Sequence, residues 1–136
     1  MSKLLTLGTF DTPHVGHAVF LRKCERFADE VVVGVNTDQF VESFKGKRPI
    51  YSWGERASLI KALGYKVLPN PSAGRETIAQ VRPDIIAVGS DWATRDYYGQ
   101  IDVTQEWLDE RKIAMLYLPY TAGISTTDLK RRLGAT

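Results

Sequence analysis

The 136-residue sequence predicts an α/β protein, a single-domain Rossmann-like doubly wound sheet of about five parallel strands across residues 1–136. Short apolar runs alternate with amphipathic segments along the whole length. The run Val31–Val35 is apolar without alternation, as in a strand covered on both faces. The stretches richest in glycine, hydroxyl groups and charge follow the predicted strands, where open α/β sheets bind ligands.

Leu4–Leu7 reads as a strand stopped by Gly8, and Val15–Ala28 as a helix, with Val15, Ala18, Val19, Leu21 and Phe27 mostly at helical spacing. Val31–Val35 is the second strand and ends at Asn36-Thr37-Asp38. Glu55–Leu63 reads as a helix, Tyr65–Leu68 as a strand, Pro69–Gly74 as an exposed loop and Glu76–Val81 as a helix. Ile85–Val88 is a strand stopped by Gly89, Thr104–Lys112 a helix and Ile113–Leu118 a strand ended by Pro119. Gly123 then precedes a last helix over Ser125–Leu133, which completes five β/α units. Such a fold carries the loops Thr9–His17, Asn36–Tyr51, Gly89–Trp92 and Tyr120–Thr127 to one rim.

Composition limits the functions available. Lys and Arg number 18 against 16 Asp and Glu, and a net charge of +2 is too small to hold nucleic acid or an anionic membrane as a bulk partner. Cys24 is the only cysteine, which excludes an intramolecular disulfide and a cysteine zinc site, and its helical setting predicts a buried thiol. The N-terminus shows neither a signal-type run nor a membrane span, so the expected location is cytoplasmic.

The chain's only two histidines stand in His14-Val15-Gly16-His17, at the end of the first strand and the start of the first helix. Gly16 lets a ligand approach the backbone, the helix start offers free N–H groups and the positive dipole end, and the imidazoles add donors for a phosphate. Either histidine alone reads as a cap or a surface residue; the pair in this place reads as an anion site. Lys45, Lys47 and Arg48 lie on a predicted loop ending at Pro49, free to close over a polyphosphate, or else simply solvated. Gly123-Ile124-Ser125-Thr126-Thr127-Asp128 supplies three hydroxyls at a helix start where a cap needs one.

These residues resemble the HxGH-signature nucleotidyltransferase superfamily, and within it most closely the glycerol-3-phosphate cytidylyltransferase family. Gly8-Thr9-Phe10-Asp11, the histidine turn and Gly123–Thr127 carry the likeness, with Asn36-Thr37-Asp38, Lys45-Gly46-Lys47, Arg56 and Gly89-Ser90-Asp91-Trp92 between them in matching order. The resemblance implies attack by an acceptor's phosphate oxygen on the α-phosphorus of CTP or another nucleoside triphosphate, with release of pyrophosphate. Mg²⁺ would be held mainly by the triphosphate, with no protein metal ligand. It further implies catalytic roles for His14, His17, Lys45 and Lys47. Nucleotide binding would fall to Thr9, Phe10, Asp11, Gly16, Tyr120, Thr121, Gly123, Ile124, Ser125, Thr126 and Thr127. Acceptor binding would fall to Asp11, Lys47, Asp91 and Trp92.

Two departures bear on specificity. Tyr120 stands where the family has an arginine at the cytosine end, and Gly64-Tyr65 stands where it has Arg-Tyr near the acceptor. The acceptor is expected to be a small phosphorylated alcohol, glycerol 3-phosphate or a relative, with Arg48, Arg75 or Arg95 as sources of replacement charge. An ATP-using adenylyltransferase and a non-catalytic nucleotide-binding module are the alternatives. Family members commonly pair, and the apolar and aromatic residues between Phe40 and Trp53 suit either a homodimer interface or a loop folded over the site.

Overall fold

Five parallel strands in the order β3-β2-β1-β4-β5 form the sheet in a computed structural model that describes residues 1–12 and 15–119. They are β1 (Lys3–Gly8), β2 (Glu30–Asn36), β3 (Lys66–Asn70), β4 (Ile85–Gly89) and β5 (Ala114–Leu118). The helices are α1 (Val15–Cys24), α2 (Asp38–Lys45), α3 (Trp53–Ala62), α4 (Arg75–Val81), α5 (Tyr97–Ile101) and α6 (Gln105–Glu110). A 3₁₀ helix over Ser90–Thr94 follows β4. The α/β class and the parallel sheet are as the sequence predicts.

Strand periodicity sorts the core onto two faces. Leu4, Val31, Val33, Val35, Ala87 and Leu118 pack with Phe20, Leu21 and Cys24 of α1 and Ile60 of α3. Leu5, Val32, Ile86 and Val88 meet Ile78 and Val81 of α4, Tyr97 and Ile101 of α5, and Leu108 of α6. β2 is buried along nearly its whole length, which explains its unbroken apolar run. Burial also pushes the Cys24 thiol up to about 12, so it packs as a small apolar group.

The register opens a crevice at the rim. β1 pairs with β2 at six positions, from Lys3–Glu30 to Gly8–Val35, but with β4 only at Leu4–Ile85 and Leu5–Ile86. Beyond Leu5 the two central strands part, at the place where the strand order reverses.

Several boundaries differ from the sequence reading. Residues 38–45, expected within a loop, form α2. Thr37 accepts from the Phe40 amide at its start, and Gly46, at φ 77°, closes it by donating to the Glu42 carbonyl. Lys45 therefore ends a helix, and only Lys47 and Arg48 lie beyond it. α1 stops at Cys24 rather than Ala28, because Arg26 and Phe27 donate to the carbonyls three residues back and Phe27 turns outward. β3 runs through Pro69, which an edge strand tolerates. The segment after Gly89 holds a helical turn and α5, the latter capped where Asp96 accepts from Gly99.

Candidate active site

The parted ends of β1 and β4 border a small cavity of about 130 Å³, lined by Thr6, Leu7, Gly8, Thr9, Phe10, His17, Phe20, Val88 and Gly89. The first turn of α1 sets His17 against it, with Phe20 one turn further on. Phe10 holds the wall with its backbone in the left-handed region, φ 52°. For a bulky residue that conformation costs about 1–3 kcal/mol and persists only where the surroundings enforce it. Here the ring is buried edge-on to His17, 5.2 Å between centroids. A Cβ on Gly8 would come within 2.9 Å of that ring, so glycine is what admits the packing.

Arg56, on α3, fixes the loops around this wall and is fully buried. Its Nε donates to the Tyr51 carbonyl at 3.0 Å, Nη1 to the carbonyls of Thr9 and Asn36 at 2.6 and 2.8 Å, and Nη2 to Asp38 Oδ1 at 2.7 Å. One planar group thus joins the ends of β1 and β2, the start of α2 and the loop before α3. Asp38 Oδ2 also accepts from the Trp53 amide, and Asp11 Oδ1 accepts from the Tyr51 amide.

A second cavity of about 260 Å³ shares Leu7, Gly8, Thr9 and Val88 with the first and extends beneath α2 and α5. Phe40, Phe44 and Lys45 line it from α2, Trp92 from the 3₁₀ helix, and Tyr97, Gln100 and Ile101 from α5. Asn36, Asn70 and Ala73 complete the lining. Trp92 and Tyr97 pack at 5.3 Å between ring centroids, and the Arg95 guanidinium lies 5.7 Å from the Trp92 ring. The two cavities share Leu7-Gly8-Thr9 and Val88 as a common wall, so ligands in both would approach one another across Gly8-Thr9.

The cytidylyltransferase-like family pattern matches residues 5–132. The chain is 31% identical over 137 residues to glycerol-3-phosphate cytidylyltransferase of Bacillus subtilis, covering 98% of each protein. It is 44% identical over 93 residues to FAD synthase of Thermococcus sibiricus, covering 65% of this chain and 63% of that one. Among solved structures, the lipopolysaccharide core biosynthesis protein of Thermoplasma volcanium superposes with TM-score 0.62 at 25% identity, over 85% of this chain and 96% of the other.

The chain belongs to the cytidylyltransferase-like family. It is an enzyme, a nucleotidyltransferase, and its resemblance to the HxGH superfamily holds.

In this nucleotidyltransferase Thr9, Phe10 and His17 gather at the smaller cavity and Lys45 and Trp92 at the larger, while Gly16 is buried in the first turn of α1 and lines neither. Asp11 stands at the rim, engaged with Tyr51. Lys47 and Asp91 are exposed and line neither cavity. Arg48 is paired with Glu42 at 2.9 Å, and the Arg75 guanidinium sits 5.6 Å from the Trp107 ring. His14 lies outside the described residues, as do Tyr120, Thr121, Gly123, Ile124, Ser125, Thr126 and Thr127. β5 nevertheless leaves the sheet at the correct rim, with Leu118 in register beside Gly89.

The sequence reading left the aromatics from Phe40 onward between a dimer interface and a loop over the site and missed Tyr97; Phe40 and Phe44 line the cavity from a helix. For α2 the signal was present, since Thr37 and Gly46 are cap residues bracketing Phe40, Val41 and Phe44 at helical spacing. We predict that Arg56→Met lowers the unfolding free energy by about 3–5 kcal/mol, and that Arg56→Lys recovers little of it because one ammonium cannot span four acceptors. Urea denaturation monitored by tryptophan fluorescence checks this; a loss below about 1 kcal/mol for the methionine variant would refute the cross-link.

Proposed function

We propose that this nucleotidyltransferase transfers CMP from CTP to a small phosphorylated alcohol, glycerol 3-phosphate or a relative, and releases pyrophosphate. The observation that carries the reading is the wall at Gly8-Thr9 that the two cavities share, with His17 in the lining of one and Lys45 and Trp92 in the lining of the other. The end-to-end match to relatives named glycerol-3-phosphate cytidylyltransferase supports the choice of substrates.

In the proposed reaction the α-phosphate lies over Gly8-Thr9, and an acceptor phosphate oxygen attacks the phosphorus in line. A new P–O bond forms as the bond to the β-phosphate breaks, and pyrophosphate leaves with the electron pair. His17, with His14, donates hydrogen bonds to the oxygens on which charge grows, while the positive end of the α1 dipole favours the same anion. Lys45 neutralises charge between the two substrates, with Lys47 beside it in sequence. Ser125, Thr126 and Thr127 are assigned to the triphosphate tail. The accompanying Mg²⁺ ion is assigned to the triphosphate's own oxygens. When bound there it neutralises the triphosphate's charge.

Adenylyl transfer is the second reading, favoured by Tyr120 in place of the family's arginine and by the 44% identity to a relative named FAD synthase. We also propose a homodimer, formed through the exposed Phe44, Ile50 and Tyr51.

Three outcomes are expected. Across a panel of the four nucleoside triphosphates with phosphorylated alcohols and Mg²⁺, pyrophosphate appears with CTP; appearance with ATP alone would replace the cytidylyl reading by the adenylyl one. His17→Ala lowers kcat about a hundredfold while calorimetric nucleotide affinity changes only severalfold, and equal losses in both would contradict transition-state stabilisation. In sedimentation equilibrium the parent is a dimer and Ile50→Glu shifts it towards monomer, whereas a monomeric parent would rule out the pairing.

A further inference from the structure

A chain of buried polar side chains runs under the larger cavity and ends at Thr9. Thr77 of α4 is 2% exposed, Asn70 at the end of β3 is 1% exposed and Asn36 at the end of β2 is 9% exposed. Thr77 Oγ1 donates to Asn70 Oδ1 at 2.6 Å, Asn70 Nδ2 donates to Asn36 Oδ1 at 2.9 Å, and Asn36 Nδ2 donates to Thr9 Oγ1 at 3.0 Å. The lengths agree with this sense, the first being short as O–H···O bonds are and the other two being ordinary for N–H···O.

Direction propagates along such a chain. An amide has a distinct donor end and acceptor end, so a hydroxyl proton delivered to Asn70 Oδ1 turns the Asn70 nitrogen to Asn36, which turns the Asn36 nitrogen to Thr9. Thr9 Oγ1 is then an acceptor on its buried side, and its own proton points elsewhere. Thr9 borders both cavities, and among the described residues nothing accepts that proton. Its backbone is held as well, since the Thr9 carbonyl accepts from Arg56. Were the chain reversed, Thr9 would donate inward and present lone pairs to whatever lies above it, which repels an anion.

We propose that Thr77, acting through Asn70 and Asn36, fixes the Thr9 hydroxyl as a hydrogen-bond donor aimed at a phosphate oxygen beside the wall that the two cavities share. Thr77, Asn70 and Asn36 are positioning residues, and Thr9 makes the contact. The inference rests on the proposed function for the identity of the ligand as a phosphate. It adds a control element on α4, an element that contributes no lining to either cavity.

The test is a double-mutant cycle on the intact chain. Thr77→Val keeps the shape and removes the proton; with the nucleotide and acceptor pair turned over in the substrate panel, kcat/KM is expected to fall about tenfold, and Thr77→Ser to restore most of it. In a Thr9→Val background the same Thr77→Val change is expected to cost less than about twofold, because the group it orients is gone. Equal losses in both backgrounds would make Thr77 merely structural and overturn the proposal, as would no loss from Thr77→Val. Side-chain amide signals of Asn36 in nitrogen-15 spectra are expected to shift in Thr77→Val, and unmoved signals would also overturn it. If no pair in the panel is turned over, the proposed function fails separately. The cycle is then read on calorimetric affinity for CTP and ATP, where loss confined to the Thr9 background supports the relay and additivity, or no effect of either change, rejects it.

Discussion

The guanidinium of Arg56 is the contact on which the rim depends. Taking a cation wholly out of water costs several kcal/mol, and the chain tolerates this because the group is satisfied by three carbonyls and a carboxylate in one plane. Those acceptors belong to segments that the sheet alone would leave loose. Thr9 follows β1, Asn36 ends β2, Asp38 opens α2, and Tyr51 precedes α3. Removing the arginine would leave buried carbonyls without donors in several places at once. A hydrophobic contact could bury the same volume, but it would not fix the direction of the Thr9 carbonyl, next to Phe10 in the chain.

The strand register explains why the rim has a cleft to organise. β1 stays paired with β2 through Gly8 but leaves β4 after Leu5, so the central pair opens like a fork towards the carboxyl ends. Both cavities take their shared wall from the prongs, Leu7 to Thr9 on one side and Val88 on the other. The strained backbone of Phe10 belongs to the same arrangement. Its ring covers the space where a Gly8 side chain would stand and meets His17 edge-on, so the imidazole is positioned by packing as well as by its helix. Strain, glycine and aromatic contact each require the others here, and together they resist drift of the histidine that the proposed chemistry relies on.

Much of this was legible from residues alone, and the exceptions have physical causes. Short apolar runs located every strand, most plainly β2, whose valines are covered on both faces. The cavity-facing parts at Gly8-Thr9-Phe10 and Gly16-His17 were legible because a glycine beside histidines at a strand–helix junction carries local chemistry. α2 was obscured by its own charges, since Lys45 and Lys47 flank the Gly46 cap and the eye reads a basic loop. α5 was too short for a periodic signal. The network of Asn36, Asn70 and Thr77 was invisible, because its members lie on three elements and nothing in their spacing reveals that β2 and β3 are neighbours in register, Asn36 opposite Asn70. Arg56 could be matched to a landmark of the superfamily, but its bonding pattern needed the fold.

The departures from the glycerol-3-phosphate pattern acquire a local meaning in this setting. Gly64 has φ 101°, a conformation that strains any side chain, so the turn after α3 is built for glycine and not for the family's arginine. The candidate replacements are unequal. Arg48 is tied to Glu42 and Arg75 lies against Trp107, away from the cleft, whereas Arg95 lies over Trp92, whose ring lines the larger cavity. Lys45 approaches the same cavity from the opposite side, on α2. Among the described residues Lys45 of α2 is thus the cation on the lining of this chamber, while Arg95 touches it only through the Trp92 ring. Between those two points the walls are aromatic, from Phe40, Phe44, Trp92 and Tyr97, with the amides of Asn36, Asn70 and Gln100 among them. Rings that present a flat apolar surface beside amide groups favour an acceptor with an apolar face and hydroxyl edges over one recognised by charge alone. In the proposed reaction, acceptor choice then rests on the shape and hydrogen bonding of the non-phosphate part, with Lys45 the cation on this lining.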